Sequence, residues 1–141
     1  MKIYIEQLEK HDAKDLFTFE LTNTYFYLIR NNKKEIVGRI NLVDIDTETR
    51  ISSLGYRVGE KFTKKGVATA AVKLILDVAK NNKINEVHAK TTSNNLASQI
   101  VLEKSGFSSY QNEADTTSVK LNGEHVNFVH YIWRNISHSN K

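Results

Sequence analysis

The junction around Gly66 constrains this chain more than any other feature. The residues Leu54-Gly55-Tyr56-Arg57-Val58-Gly59 read as the end of a strand. Shortly afterwards Lys64-Lys65-Gly66-Val67-Ala68-Thr69 opens an apolar helical run that reaches about Lys80. A strand, a short lysine-bearing loop with a glycine, then a helix is an arrangement that holds a phosphate. The first turn of a helix has unpaired N–H groups and carries the positive end of the dipole. A glycine lets the backbone come close to a bulky anion, where a side chain would stand in its way. A ligand with a pyrophosphate is therefore expected here. The spacing is neither G-x-x-x-x-G-K-S/T nor G-x-G-x-x-G, which excludes the two commonest nucleotide loops.

The pattern around this junction is mixed. Strands are expected at 2–8, 24–30, 35–44 and 50–58, with a helix from the cap Asp12 to about Leu21 between the first two. The turns Asn31-Asn32-Lys33-Lys34 and Asp46-Thr47-Glu48-Thr49 are rich in turn formers, so this part reads as an antiparallel meander. The helix at 66–80 carries Val67, Ala71, Ile75 and Ala79 on one stripe and Ala68, Val72 and Leu76 on the next. Lys73, Asp77 and Lys80 form its wet side. A strand at 85–91 follows. A second helix is expected from about Asn95 to Ser105, with Leu96, Ile100 and Val101 inward and Gly106 ending it. Two strands, about 107–120 and 124–134, finish the chain across an Asn122-Gly123 turn. The sum is an α/β fold with a mixed, mostly antiparallel sheet and flanking helices.

At 141 residues the chain is expected to form one domain over 1–135, with 136–141 as a frayed tail. There is no cysteine, so disulfides, thiolate metal sites and a cysteine nucleophile are excluded. No apolar run has the length of a membrane span. The start, Met1-Lys2-Ile3-Tyr4-Ile5-Glu6, alternates like a strand and lacks the apolar core of a signal peptide, so a cytoplasmic location is expected. The formal charge of +4 reads as a solvated lysine-rich surface, with attraction to an anionic cofactor as the sharper alternative. The basic residues form no stripe interleaved with aromatics, so neither nucleic acid nor a membrane is expected as partner.

Two motifs give the chain a resemblance to a known family. One is an acetyl-CoA loop, Q/R-x-x-G-x-G/A, which stands here as Thr63-Lys64-Lys65-Gly66-Val67-Ala68, with Thr63 in place of Gln or Arg. The other is N-x-x-S-x-x-x-x-E-K-x-G-F, present as Asn95-Leu96-Ala97-Ser98 through Glu103-Lys104-Ser105-Gly106-Phe107. With Leu54-Gly55-Tyr56 before the loop, the chain resembles the GNAT N-acetyltransferases, within them the ribosomal-protein-alanine (RimJ/RimL-like) branch. The likeness covers roughly residues 35–110 well.

The resemblance implies a GNAT-type sheet and acetyl transfer from acetyl-CoA, as co-substrate, to an amine by direct attack on the thioester. The amine could be a protein N-terminus or a small molecule, and the enzyme a monomer or homodimer. Backbone N–H groups of about Lys65, Gly66, Val67, Ala68 and Thr69, with Lys64 beside them, would hold the pyrophosphate. The pantetheine arm would pair with the strand edge at Tyr56, Arg57 and Val58. The resemblance also puts Asn95, Ser98 and Lys104 among the cofactor contacts. Asn95 reads equally as a helix N-cap. The backbone of Tyr56 is the candidate support for the oxyanion.

Two expected catalytic groups are absent. Many members place a tyrosine seven residues after the motif asparagine, where this chain has Leu102. Ser98 is the nearest hydroxyl on the same helix face and becomes the candidate proton donor to the thiolate, its alternative being a bond to the carbonyl four residues back. Some relatives place a glutamate three residues before the tyrosine of the fourth strand, where this chain has Ser53. Asp44 and Asp46 read as turn residues, so no general base is assigned. His125 and His130 point to opposite faces of one strand, His88 stands alone on its own, and His11 and His138 lie near loops, so no metal is expected. Tyr131 and Trp133 read as core or sheet-surface residues.

In this branch the first helix normally leads into a second helix and a long excursion. Here Leu21-Thr22-Asn23 runs almost at once into Thr24-Tyr25-Phe26, from either a shortened front or a missing piece. An open, shallow acceptor site is therefore expected. The runner-up function is a non-catalytic CoA-binding or regulatory module. A small nucleic-acid-binding domain is a third reading that rests on charge alone.

Overall fold

Alternating apolar residues lay down the first half of the sheet. The computed structural model describes residues 2–8, 24–63, 65–111, 118–121 and 123–136. Within it β1 (Ile3–Gln7), β2 (Tyr25–Asn31), β3 (Ile36–Val43) and β4 (Ile51–Val58) pair antiparallel, each with the next. Ile29, Ile40 and Leu42 face one side and are fully buried. Asn31 organises the β2–β3 turn, its side-chain oxygen accepting from the N–H groups of Lys33 and Glu35. At Gly38 a Cβ would lie 2.4 Å from the carbonyl oxygen of Arg57, so β3 and β4 approach here only because no side chain intervenes.

After β4 the chain crosses over. A short 3-10 turn, Glu60–Phe62, leads to α1 (Val67–Asn81), which returns to β5 (Glu86–Thr92), parallel to β4. Val67, Ala71, Val72, Ile75, Leu76 and Ala79 of α1 are buried against the sheet, the stripe read from the sequence. The far end of α1 is tied to the starts of β4 and β5. Arg50 Nη2 donates to the Asn82 carbonyl at 2.6 Å, and Asn85 N–H donates to the Arg50 carbonyl at 2.8 Å. The Asn135 N–H donates to the Asn85 carbonyl at 2.9 Å, and its side-chain amide donates to the Ile84 carbonyl at 3.1 Å.

β5 leads into α2 (Leu96–Lys104), with Ser105 as C-cap and Gly106 at φ 96°, the expected stop. Then come β6 (Ser108–Tyr110), β7 (Ser118–Leu121) and β8 (Glu124–Arg134). The order across the sheet is β1-β2-β3-β4-β5-β8-β6, with β7 paired to the first half of β8. The mixed, mostly antiparallel architecture expected from the sequence is present. Tyr131 and Trp133 lie in the core, with Leu102 and Phe107.

Two expectations need correction. The single strand at 107–120 is two short ones that pair with different halves of β8. Residues 112–117, between them, lie outside the described residues. In α2, Leu96 and Ile100 are exposed rather than inward, at 65% and 51%. The sheet-facing stripe is Ser98, Val101, Leu102 and Ser105, at helical spacing. Its first member is a serine, which apolar periodicity does not register. The helix from Asp12 to Leu21, the link to Thr24, Lys64 and Asn122 lie wholly or partly outside the described residues.

Candidate active site

The site is a fork between two parallel strands. β4 and β5 pair only at Ile51/Glu86, Ser52/Val87 and Ser53/His88. Beyond that point β4 remains paired to β3 as far as Val58, with no register shift, while β5 continues beside β8. The direction of the β4 amides follows from two bonds. Gly59 N–H donates to the Val37 carbonyl on the β3 side, and the Arg50 carbonyl accepts from Asn85 on the β5 side. Successive peptide groups alternate in direction along a strand. The N–H and C=O groups of Tyr56 and Val58 therefore face the fork, and those of Arg57 face β3. An extended, amide-bearing ligand can pair with that edge as an added strand would.

At the mouth of the fork stands the α1 N-terminus. Gly66 is its N-cap at φ 76°, in the left-handed region that favours glycine, with open space where a Cβ would project. Lys65 and Gly66 are exposed, and Gly66 as N-cap has no side chain to close the first turn. The N–H groups that begin α1 are thus available to an anion. The fork edge and this helix start suit the two parts of a CoA molecule, its peptide-like arm and its pyrophosphate.

α2 closes one side of the fork. Asn95 is its N-cap, with its side-chain oxygen accepting from Ser98 N–H at 3.1 Å. The Ser98 hydroxyl shares a 2.8 Å hydrogen bond with the phenol of Tyr56, 42 residues away in sequence. It makes this contact rather than a bond to a carbonyl of its own helix. Burial raises the Tyr56 pKa above the ordinary phenol value, and the Ser98 bond offsets part of that rise. The phenol is therefore protonated at neutral pH. Leu102 is buried in the core and holds no place at the site. Lys104 sits at the opposite end of α2 from Asn95, roughly 13 Å along the axis at 1.5 Å per residue. The structure does not bring it beside Ser98.

Sequence reasoning missed the other face of the sheet. Strand alternation puts Glu86, His88 and Lys90 of β5 opposite the helices, together with His130 and Arg134 of β8 and Tyr110 of β6. His88 Nε2 lies 3.1 Å from Glu86 Oε1, and His88 Nδ1 lies 3.2 Å from the Tyr110 hydroxyl. His88 is thus not alone. The Glu86-x-His88 spacing places both on one face and is visible in the sequence. Tyr110 arrives only through the pairing of β6 with β8. Asp46, in contrast, is a turn residue as expected. Its carboxylate accepts from Glu48 and Thr49 N–H groups, and the Thr49 bond foremost lowers its pKa. Among the described residues no group of three or more histidine or acidic side chains could hold a metal. No helix among them is long and apolar enough to cross a membrane.

Residues 1–108 match the model of the acetyltransferase (GNAT) domain. The chain belongs to the GNAT family. Two relatives from Bacillus subtilis (strain 168) place it more finely. It is 28% identical over 122 residues to "Probable N-acetyltransferase YjcK", covering 85% of this chain and 61% of the relative. It is 31% identical over 97 residues to "Putative ribosomal N-acetyltransferase YdaF", covering 68% of this chain and 52% of the relative. Both agree with the RimJ/RimL-like branch. The GNAT chain thus spans between half and two thirds of the length of these relatives. In fold it is similar to the spermidine N-acetyltransferase of Vibrio cholerae solved with CoA and spermine. The TM-score is 0.81, with 12% identity and 98% of each chain covered.

Proposed function

We propose that this GNAT protein transfers the acetyl group of acetyl-CoA to a primary amine, either a protein N-terminus or a small amine. The observation that carries the reading is Tyr56, whose N–H faces the fork while its phenol meets Ser98 on α2. The β4 edge at Tyr56 and Val58 would hold the pantetheine arm, and the N–H groups at Lys65 to Thr69 the pyrophosphate. The amine nitrogen attacks the thioester carbon. The Tyr56 N–H donates to the oxyanion of the tetrahedral intermediate. As the C–S bond breaks, the sulfur takes a proton from Ser98, which Tyr56 replenishes across their shared hydrogen bond. The phenol recovers its proton, through water, from the nitrogen as the amide forms.

Membership of the family and the likeness in fold to an enzyme solved with CoA and spermine support this chemistry over a non-catalytic module. The test is thiol release from acetyl-CoA with spermine, free amino acids and peptides bearing the same N-terminal residues. Turnover is expected with at least one acceptor class, and a peptide is expected to exceed its free amino acid in kcat/KM. Gly66→Glu, which sets a carboxylate at the α1 N-terminus, should abolish both turnover and the thermal shift given by acetyl-CoA. A protein that binds acetyl-CoA but releases no thiol with any acceptor would refute the proposal.

A further inference from the structure

The amine that reaches a thioester at neutral pH is mostly an ammonium ion and must lose a proton before it can attack. Resting on the reading above, the geometry points to a proton relay, Tyr110–His88–Glu86, that takes this proton on the face of the sheet opposite the helices.

α1 and α2 cover one face, and the Tyr56–Ser98 pair, which serves the leaving sulfur, lies on that side. With α2 and the Tyr56–Ser98 pair on the helix face of the fork, the amine and its base are placed on the other face. His88 is there, on the last paired rung before β4 and β5 separate. Tyr56 is three residues further along β4, roughly 10 Å at 3.3 Å per residue. Water filling the fork between β4 and β5 would carry the proton over that distance.

Histidine is the side chain suited to exchange a proton near neutral pH. The bond from Nε2–H to the Glu86 carboxylate, at 3.1 Å, selects the tautomer that leaves Nδ1 as an acceptor. That nitrogen faces the Tyr110 hydroxyl at 3.2 Å. Tyr110 is 37% exposed and is the end of the chain that solvent or an acceptor can reach. Its ring packs edge-on to His88, with centroids 6.0 Å apart, and tilts against His130 at 5.7 Å. Glu86 is in turn 3.6 Å from Arg134.

Among the described residues the charged and titratable neighbours of His88 on this face come from four strands. They are Glu86 and Lys90 on β5, His130 and Arg134 on β8, Tyr110 on β6 and Arg57 on β4. Lys90 is drawn over the Phe128 ring, 4.5 Å from its centroid. The carboxylate in direct contact with the imidazole is that of Glu86.

The protons balance. The ammonium gives one proton, through a water, to the Tyr110 oxygen as the Tyr110 hydroxyl proton passes to His88 Nδ1. The imidazolium is held by Glu86 and returns its proton to solvent. The nitrogen loses a second proton as the amide forms, which restores Tyr56 and Ser98. The third remains in the product. Tyr110 and His88 handle the proton, and Glu86 is a positioning residue.

The experiment compares the wild type, His88→Gln, Tyr110→Phe and Glu86→Gln. Rates are measured against pH with spermine and with a peptide α-amine, whose amines differ in pKa. In the wild type the rising limb should keep one midpoint for both acceptors. In His88→Gln, kcat/KM at neutral pH should fall about 10²-fold or more, and the limb should then follow the acceptor amine. Tyr110→Phe should lose a similar factor. Acetyl-CoA binding, read by thermal shift, should be retained in all three variants, which separates this inference from failure of the cofactor reading. Nitrogen chemical shifts of the His88 ring give a readout independent of turnover, and an unprotonated Nδ1 is expected in the wild type. A ring protonated at Nδ1 would overturn the relay. So would a limb that tracks the acceptor in the wild type, or a His88→Gln loss that is the same at every pH.

Discussion

Ser98→Ala separates chemistry from packing, because the same hydroxyl has very different worth in the two. The Tyr56–Ser98 bond is 2.8 Å long and part-buried. Losing one such neutral hydrogen bond costs about 1 kcal/mol of stability. Alanine in the first turn of α2 returns a few tenths of that, on the order of 0.5 kcal/mol, through helix propensity. The net change lowers Tm by about 1–3 °C in a domain of this size. If the hydroxyl protonates the leaving thiolate, turnover should instead fall by roughly 10²- to 10⁴-fold, equivalent to about 3–5 kcal/mol of barrier. Tyr56→Phe removes the same hydrogen bond from its other end and leaves the ring and the backbone N–H in place. Residues that act as one unit are not additive. The double variant should therefore be little slower than the worse single one. The assays are steady-state thiol release, a thermal melt and acetyl-CoA titration on the four proteins. If both single variants keep kcat within about twofold of wild type, the hydrogen bond is packing alone and the acid assignment falls.

Gly38→Ala should destabilise the sheet by about 1–3 kcal/mol or more, since its Cβ would meet backbone of Arg57 and Val58 that has no rotamer to yield; urea unfolding measures it. Because the displaced residues border the fork, acetyl-CoA affinity should weaken in the folded fraction. Tyr27, Tyr56 and Tyr131 all have pKa values raised, first by burial. Their contribution to stability is full below the unfolded phenol pKa of about 10 and is lost as pH rises through the higher folded values. Phenolate absorbance should show delayed ionisation of these side chains, and urea midpoints should drop above about pH 10. Ionisation at the ordinary value would contradict the burial.

Local pattern makes most of the fold legible in the sequence. Ile40 and Leu42 stand either side of Asn41, the apolar run from Tyr25 to Ile29 is bounded by turn formers, and Val67, Ala71 and Ile75 repeat at helical spacing, so strands and α1 follow from local pattern. The loop at Gly66 and the cap at Asn95 are readable because each depends on a few adjacent residues. What is not readable is set at long range. Nothing near Tyr110 in sequence says that β6 will lie against His130 and bring the hydroxyl to His88. Likewise the Tyr56 phenol meets Ser98 only because the crossover through α1 returns β5 and α2 beside β4. The error in α2 has a similar source. Leu96 and Ile100 suggest the buried face, yet the less exposed stripe starts at Ser98, whose hydroxyl meets Tyr56 of β4.

The cluster that ties Arg50, Asn82, Asn85 and Asn135 has a mechanical consequence. It clamps β4 and β5 at one end and leaves their other ends independent, each held by a different neighbour, β3 or β8. The two strands stand as arms that part from one last shared rung, Ser53 and His88. A ligand seated between the arms supplies the rungs that the sheet itself omits, so the cofactor completes the sheet as well as carrying the acetyl group. Its departure as free CoA would leave those rungs unmade.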